Sequence, residues 1–319
     1  MLRAPFPWFG GKSRVSHLVW NAFGDTANYV EPFAGSLAVL LGRPHAPRIE
    51  TVNDLDGLLI NFWRACAWAP EEVAKHADWP VSEADLSARH LALVEHRPDL
   101  TERLSVEAEF FDAKLAGWWV WGVCAWIGSG WCDGNGPWTR GETGLRKLPH
   151  LGDAGRGINR KLPHLGDAGT GVNRPESSAK EWIAALAVRL RRVRFACGDW
   201  QRVLGDSVTW RHGTTGIFFD PPYEEGKMEY SAAARGTVSA DVRAWALKNG
   251  TNKKLRIALC GYAGEHKMPG WTCVEWRARG GYGNQGGDDA DDNRHRERIW
   301  FSPHCERAED QANLFGGGR

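Results

Sequence analysis

The stretch that most constrains this chain is Ile217-Phe218-Phe219-Asp220-Pro221-Pro222-Tyr223. Three apolar residues in a row predict the end of a buried strand. The run then stops at an acid and two prolines. Proline has no N–H for a sheet ladder and fixes its own φ, so the strand ends there and the chain beyond it is stiff. One carboxylate, one rigid pair of carbonyls and one aromatic ring are thereby held at a strand's carboxyl end, the edge where open α/β sheets bind ligands. The same residues also suit a surface turn, because Asp-Pro and Pro-Pro are common loop dipeptides, and on their own they do not decide between the two.

Other segments supply the context. Ala27 to Leu41 reads as a strand, a tight turn at Gly35 and a helix, the layout of a nucleoside-binding first turn. With a single turn glycine it does not meet the dinucleotide fingerprint. Ile49 to Asp54 predicts a second strand ending in an acid, and such a carboxylate can accept from both hydroxyls of a ribose. Arg194 to Cys197 predicts a third, followed by Gly198, Asp199 and Trp200. Near the amino terminus, Trp8-Phe9-Gly10-Gly11-Lys12-Ser13 precedes a helical pattern with Val15, Leu18, Val19, Ala22 and Phe23 on one face. It is not a phosphate loop, since the position that would carry the first glycine is Phe6. What remains is a glycine pair that lets backbone approach a ligand, a cation beside it and an indole to stack on it. A loop leading into a helix would also account for these residues. Farther on, a helix over Asp241 to Lys248, a strand over Leu255 to Cys260 and closing strands at Cys273 to Trp276 and Arg298 to Phe301 are expected.

Between about residues 70 and 180 the alternation of strand and helix lapses. Ser82-Glu83-Ala84-Asp85 is a capping pattern for a helix to about His96, and a second helix is expected from near Ser105 through Phe110, Phe111, Leu115, Trp118 and Trp119. A glycine-rich stretch follows, in which Lys147 to Arg160 recurs as Lys161 to Arg174 with two differences, Arg156 against Thr170 and Ile158 against Val172. Two copies are too few for a solenoid. Either a loop has been duplicated, or Lys147, Arg156, Arg160, Lys161 and Arg174 form a basic arm that meets phosphates.

Composition removes several classes. A net charge of +1 gives no global basic signature, so a nucleic-acid partner would be met by local patches. The seven cysteines contain no C-x-x-C pair, which argues against a disulfide framework or a zinc ribbon and suits reduced thiols. Asp288, Asp289, Asp291 and Asp292 lack the spacing of a calcium loop, and no metal site is expected. Neither Met1 to Pro7 nor Trp118 to Ile127 has the length of a signal peptide core or a membrane span, so a cytoplasmic protein of a bacterial or phage-infected cell is expected. Most of the 18 tryptophans are read as core, with Trp8 and Trp200 set apart by their neighbours.

The ordered set Trp-x-Gly-Gly-Lys at 8–12, Glu-Pro-Phe-x-Gly-Ser at 31–36, Asn-Asp at 53–54, Asp-Pro-Pro-Tyr at 220–223 and a basic strand ending Arg298-Ile299-Trp300 resembles the Dam-like, α-type DNA adenine-N6 methyltransferases. That resemblance implies a Rossmann-like α/β sheet with helices on both faces, formed by residues 1–64 and 180–305. A mainly helical and loop target-recognition lobe would be inserted at 65–179, and the tail at 306–319 is expected to be disordered. It implies S-adenosylmethionine as cofactor, with Trp8, Gly10, Gly11, Lys12, Glu31, Pro32, Phe33, Gly35, Ser36, Asp54, Asp199 and Asp220 around it. Asp220, Pro221, Pro222 and Tyr223 would be catalytic: Asp220 and the Pro221 carbonyl would accept the adenine N6 hydrogens and Tyr223 would stack on the base. The base must leave the duplex to be reached. Enzymes that act on cytosine N4 usually have Ser where this chain has Asp220. The family usually has a glycine where this chain has Leu37. Double-stranded DNA is the expected partner, with a partner restriction endonuclease and the oligomeric state left open.

Overall fold

The computed structural model describes residues 2–8, 12–126, 131–132, 138–141, 144–147, 179–223, 232–276 and 297–306. The chain falls into two compact units. One comprises residue 1, Gly10–Asn53 and Asp199–Arg319, and the other Leu2–Phe9 and Asp54–Gly198.

The sheet has the strands β1 (Asn28–Glu31), β2 (Ile49–Asp54), β5 (Arg194–Cys197), β6 (Thr215–Phe219), β7 (Leu255–Tyr262), β8 (Thr272–Glu275) and β9 (Glu297–Phe301), in the order β5-β2-β1-β6-β7-β9-β8. β2, β1, β6 and β7 run parallel, while β9 is antiparallel to both β7 and β8. The chain leaves β1 toward β2 on one side and returns as β6 on the other, so β1 and β6 flank a switch point, where such sheets bind ligands.

All residues of β1 and β6 are buried, which requires cover on both faces. Side chains alternate along a strand, so Gly216 and Phe219 of β6 face opposite ways. On the first face lies α1 (Ser16–Phe23), where Phe23 sits so close to Gly216 that a Cβ there would come within 2.6 Å of its ring. On the second lies α8 (Ala232–Asn249), through Trp245, whose ring centre is 5.5 Å from that of Phe219. Tyr29 packs with Trp20 and Phe23 on the first face, and Phe33 and Trp200 pack with Phe219 on the second. Trp200 is therefore a core side chain, 6% exposed, rather than an exception among the tryptophans.

The second unit is mainly helical: α3 (Gly57–Trp68), α4 (Pro70–Ala77), α5 (Glu83–Val106), α6 (Ala113–Ala125) and α7 (Ala179–Leu190). α6 packs on α3, α4 and α5, around rings of Phe6, Phe62, Trp63 and Trp119. Buried Asn61 fixes the start of α6, donating to the Asp112 carbonyl at 2.8 Å and accepting from the Asp112 amide at 2.7 Å. Ser82 caps α5 as its sequence pattern requires, accepting from the Asp85 amide. α5 runs unbroken through Pro98 to Val106, where the sequence suggests a helix ending near His96, and the helix expected from near Ser105 is α6, which begins only at Ala113. Buried Leu93, Leu100 and Leu104 hold both halves to the core, which outweighs the hydrogen bond that Pro98 cannot donate. The glycine-rich stretch, which the sequence reads as irregular, contains a hairpin of β3 (Trp138–Gly141) and β4 (Gly144–Lys147).

Candidate active site

The carboxyl edge of the sheet collects the charged groups. β1 ends at Glu31, β6 ends just before Asp220, and β7 ends at Tyr262. β9 runs the other way, so its first residue, Glu297, pairs with Tyr262 at that same edge. Lys12 opens a short 3-10 turn before α1 and is 5% exposed.

Lys12 Nζ lies 3.2 Å from Asp220 Oδ1 and 3.2 Å from Glu297 Oε2, and it donates to the Tyr223 hydroxyl at 2.9 Å. The three ammonium hydrogens thus have three acceptors. Tyr223 in turn donates to Asp220 Oδ1 at 3.0 Å. The ammonium also lies 5.0 Å from the centre of the Trp276 ring and 5.3 Å from that of Tyr223, within cation–π range. Tyr223 meets Tyr262 edge to face at 4.6 Å. Asp220 Oδ2 accepts from no described residue.

Burial alone would pull the Lys12 pKa down, but the carboxylates of Asp220 and Glu297 outweigh it and hold Lys12 firmly charged. Burial pushes Glu297 up, Lys12 draws it back and Asp220 adds to the rise. Glu31 is raised well above the ordinary carboxylate range by burial, opposed by the Tyr29 hydroxyl donating to it at 2.9 Å and reinforced by Asp220. Burial and the neighbouring Asp220 keep the Cys260 thiol of β7 and the Tyr223 phenol in their neutral forms.

The turn after β1 is built from Pro32 to Leu37. The Ala34 amide donates to the Asn53 carbonyl at 2.8 Å, and Asn53 donates to the Pro32 carbonyl at 3.1 Å, so the turn is tied to the end of β2. Gly35 has φ 46° and Leu37 φ 52°, both in the left-handed region. A glycine at 37 would adopt this conformation without strain, whereas Leu37 carries a cost of roughly 1–2 kcal/mol. Its side chain is fully buried, which offsets that cost. Phe33 stacks on Trp200 at 6.3 Å and 26°, and the adjoining Asp199 caps its own short turn by accepting from the Gln201 amide at 2.8 Å.

Of the residues singled out in the sequence, the first unit brings Lys12, Asp220 and Tyr223 into direct contact and sets Glu31 within electrostatic reach of Asp220. Pro221 is buried and Pro222 half-buried beside them. In the second unit, the Trp8 ring packs near Phe6 and Trp119, and Asp54 accepts from the Asp56 amide at 3.0 Å. Gly10, Gly11, Arg156, Arg160, Lys161, Arg174 and the acids at 288–292 lie outside the described residues, and Lys147 is described only as the last residue of β4. Sequence reading missed Glu297, Trp276 and Tyr262. The available signal was that an antiparallel closing strand starts at the edge where the parallel strands finish, so its first residue belongs with their last. Among the described residues no three His, Cys, Asp or Glu side chains converge as a metal site, and no helix is long and apolar enough to cross a membrane.

A mixed seven-stranded sheet between helices, with its polar side chains gathered beside the switch point, is an α/β fold consistent with that of Rossmann-like methyltransferases. Residues 8–99 match the model of the D12 class N6 adenine-specific DNA methyltransferases. The activity this supports is methylation of adenine N6 in DNA, and the protein is an enzyme of the transferase class. No curated protein matches the chain.

Proposed function

We propose that the carboxyl edge of the first unit is the methyl-transfer site, with S-adenosylmethionine as donor and a flipped-out adenine of double-stranded DNA as acceptor. The observation that carries this reading is the anchoring of Asp220: Oδ1 is held by Tyr223 and Lys12, while Oδ2 accepts from no described residue. An adenine amine is a poor nucleophile because its lone pair is delocalised into the ring. Asp220 Oδ2 and the Pro221 carbonyl, each accepting one N6 hydrogen, would gather that electron density on nitrogen, and Asp220 would take the proton that nitrogen must lose. The prolines keep both acceptors in place, so the gain is positioning and electrostatics. Tyr223 offers its ring to the base.

The residues suit a cationic donor. Among the described residues one cation faces two carboxylates at this edge, with Glu31 close by, and the backbone at Gly35 carries no side chain. S-adenosylmethionine supplies an electrophilic methyl group on a sulfonium. Within the first unit, Gly10, Gly11, Lys12, Glu31, Pro32, Phe33, Gly35, Ser36 and Asp199 are the proposed donor-binding set. The second unit, with Lys147, Arg156, Arg160, Lys161 and Arg174, is the proposed target-recognition part.

The test is to incubate the purified protein with methyl-labelled S-adenosylmethionine and unmethylated DNA, then analyse the nucleosides. Label in N6-methyladenine is expected, and label in N4-methylcytosine, or in RNA only, overturns the reading. Asp220→Ala is expected to lower transfer by about 100-fold or more while donor binding survives. Full activity in that variant would reduce the motif to a turn.

A further inference from the structure

The acid that opens β9 has no part in the mechanism above, yet it shares a cation with the residue at its centre. Lys12 Nζ is equally far, 3.2 Å, from Glu297 Oε2 and from Asp220 Oδ1. The side chains of Lys12 and Glu297 are only 6% and 9% exposed, whereas that of Asp220 is 25% exposed. The ammonium donates to Tyr223 and Glu297 and pairs with Asp220, so turning toward a substrate would mean leaving one of them. It acts as a fixed strut between two strands of the sheet.

We propose that Glu297 is a positioning residue for methyl transfer: by taking part of the charge of Lys12, it lets Asp220 be held in place without being neutralised. Two demands on Asp220 conflict. It must be anchored, and a buried cation does that well. It must also remain a strong acceptor for an N6 hydrogen, and a cation paired with it alone would draw electron density from the carboxylate. A second carboxylate at the same distance from the ammonium resolves the conflict, because the cation is then divided between them. The topology puts that second acid there: β9 is antiparallel, so its amino-terminal residue lies at the carboxyl edge beside Tyr262. The groups that face Glu297 are Lys12 from the turn before α1, Asp220 and Tyr223 from the segment after β6, and Cys260 from β7. Arg298 is directed to its main-chain carbonyl. Burial raises Glu297 above the ordinary carboxylate value, with Lys12 opposing the rise and Asp220 adding to it.

This inference rests on the reading of Asp220 as the N6 acceptor, and the experiment separates the two. Single-turnover methylation of unmethylated DNA by the full chain is measured from acid to alkaline pH for the wild type, Glu297→Gln, Glu297→Asp and Asp220→Asn. Calorimetry gives donor affinity and thermal melting gives stability. Glu297→Gln is expected to lower the rate at saturating donor about 10-fold or more, with a smaller loss of donor affinity, the size of a positioning effect on a catalytic group. Its acid limb should flatten, because the wild type loses the same charge when Glu297 is protonated at low pH. Glu297→Asp, which keeps the charge one methylene farther away, should fall between the two and covers the case in which the Gln variant does not fold. A Glu297→Gln protein with wild-type rate and pH profile, beside an inactive Asp220→Asn, overturns the inference alone. A lowered melting temperature with an unchanged pH profile also overturns it, since Glu297 would then be only structural. Full activity in Asp220→Asn overturns the reading of Asp220 and the inference with it.

Discussion

The first unit carries two clusters of charge at opposite ends of one sheet, each around a buried cation, and they differ in balance. Near the amino ends of its strands, Arg43 meets Glu50 at 3.2 Å and Asp25 at 3.6 Å, donates to the Thr26 carbonyl and lies over the Trp20 ring. Arg48 also pairs with Asp25, so two cations stand against two acids. At the carboxyl edge Lys12 is, among the described residues, the one cation that meets Asp220 and Glu297, with the raised Glu31 nearby. A balanced cluster has satisfied its own charges and ties segments together. An unbalanced one in a buried setting stores an electrostatic demand that a cationic ligand can meet. The first is architecture and the second is chemistry.

The sharpest way to break this contrast is to remove each cation. Lys12→Met should destabilise the protein by about 3–5 kcal/mol, because buried Glu297 and half-buried Asp220 lose their partner, and should also abolish transfer. Without Lys12 the burial of Glu297 is unopposed, so the loss of stability should shrink as pH falls and Glu297 takes up a proton. Arg43→Met should cost a similar 3–5 kcal/mol by stranding Glu50, but the fraction that folds should methylate at the wild-type rate. Denaturant titration and single-turnover rates measure both. Equal loss of activity in the two variants would erase the distinction between the edges.

A smaller effect is expected at the turn. Leu37→Gly relieves a left-handed backbone worth roughly 1–2 kcal/mol. It also removes a fully buried leucine side chain, worth about 2–5 kcal/mol when truncated in a core. Burial should win, leaving a net loss of roughly 1–3 kcal/mol by the same figures. A more stable Leu37→Gly protein would show that the side chain is accommodated rather than needed.

The smallest effect tests the anionic edge itself. The folded pKa of Glu31 lies above its unfolded value of 4.5, so the stability it contributes is fully present below that value and is lost as pH rises through the folded pKa. Gln cannot titrate and still accepts from Tyr29. Glu31→Gln should therefore gain on the wild type in melting temperature as pH rises above 4.5, by a few degrees at most. Parallel curves across that range would show that Glu31 does not carry the excess charge.

Much of the first unit was legible because its signals are local. An apolar run of β-formers stops at Asp220-Pro221-Pro222 because proline ends the ladder locally, and the Gly35 turn needs only its own backbone. In the second unit the capping residue Ser82 likewise acts within three positions of itself. α5 was misjudged because the factor that carries it past Pro98 is the packing of leucines on other helices, which no window of sequence contains. Trp200 was likewise set apart by its neighbours in sequence, and its neighbours in space made it core.

The Asp-Pro-Pro-Tyr segment shows where the division falls. From sequence alone it was determined that a carboxylate, two stiff carbonyls and an aromatic ring would sit together past a strand end, because proline chemistry enforces that over four residues. Only the tertiary structure decided that Lys12, more than 200 positions away, would hold the acid, and that Glu297 would share the cation. Those partners depend on strand order and on the reversed direction of β9. Both follow from how distant segments pair, and hydrogen-bond pairing between strands leaves no local mark on the residues it brings together.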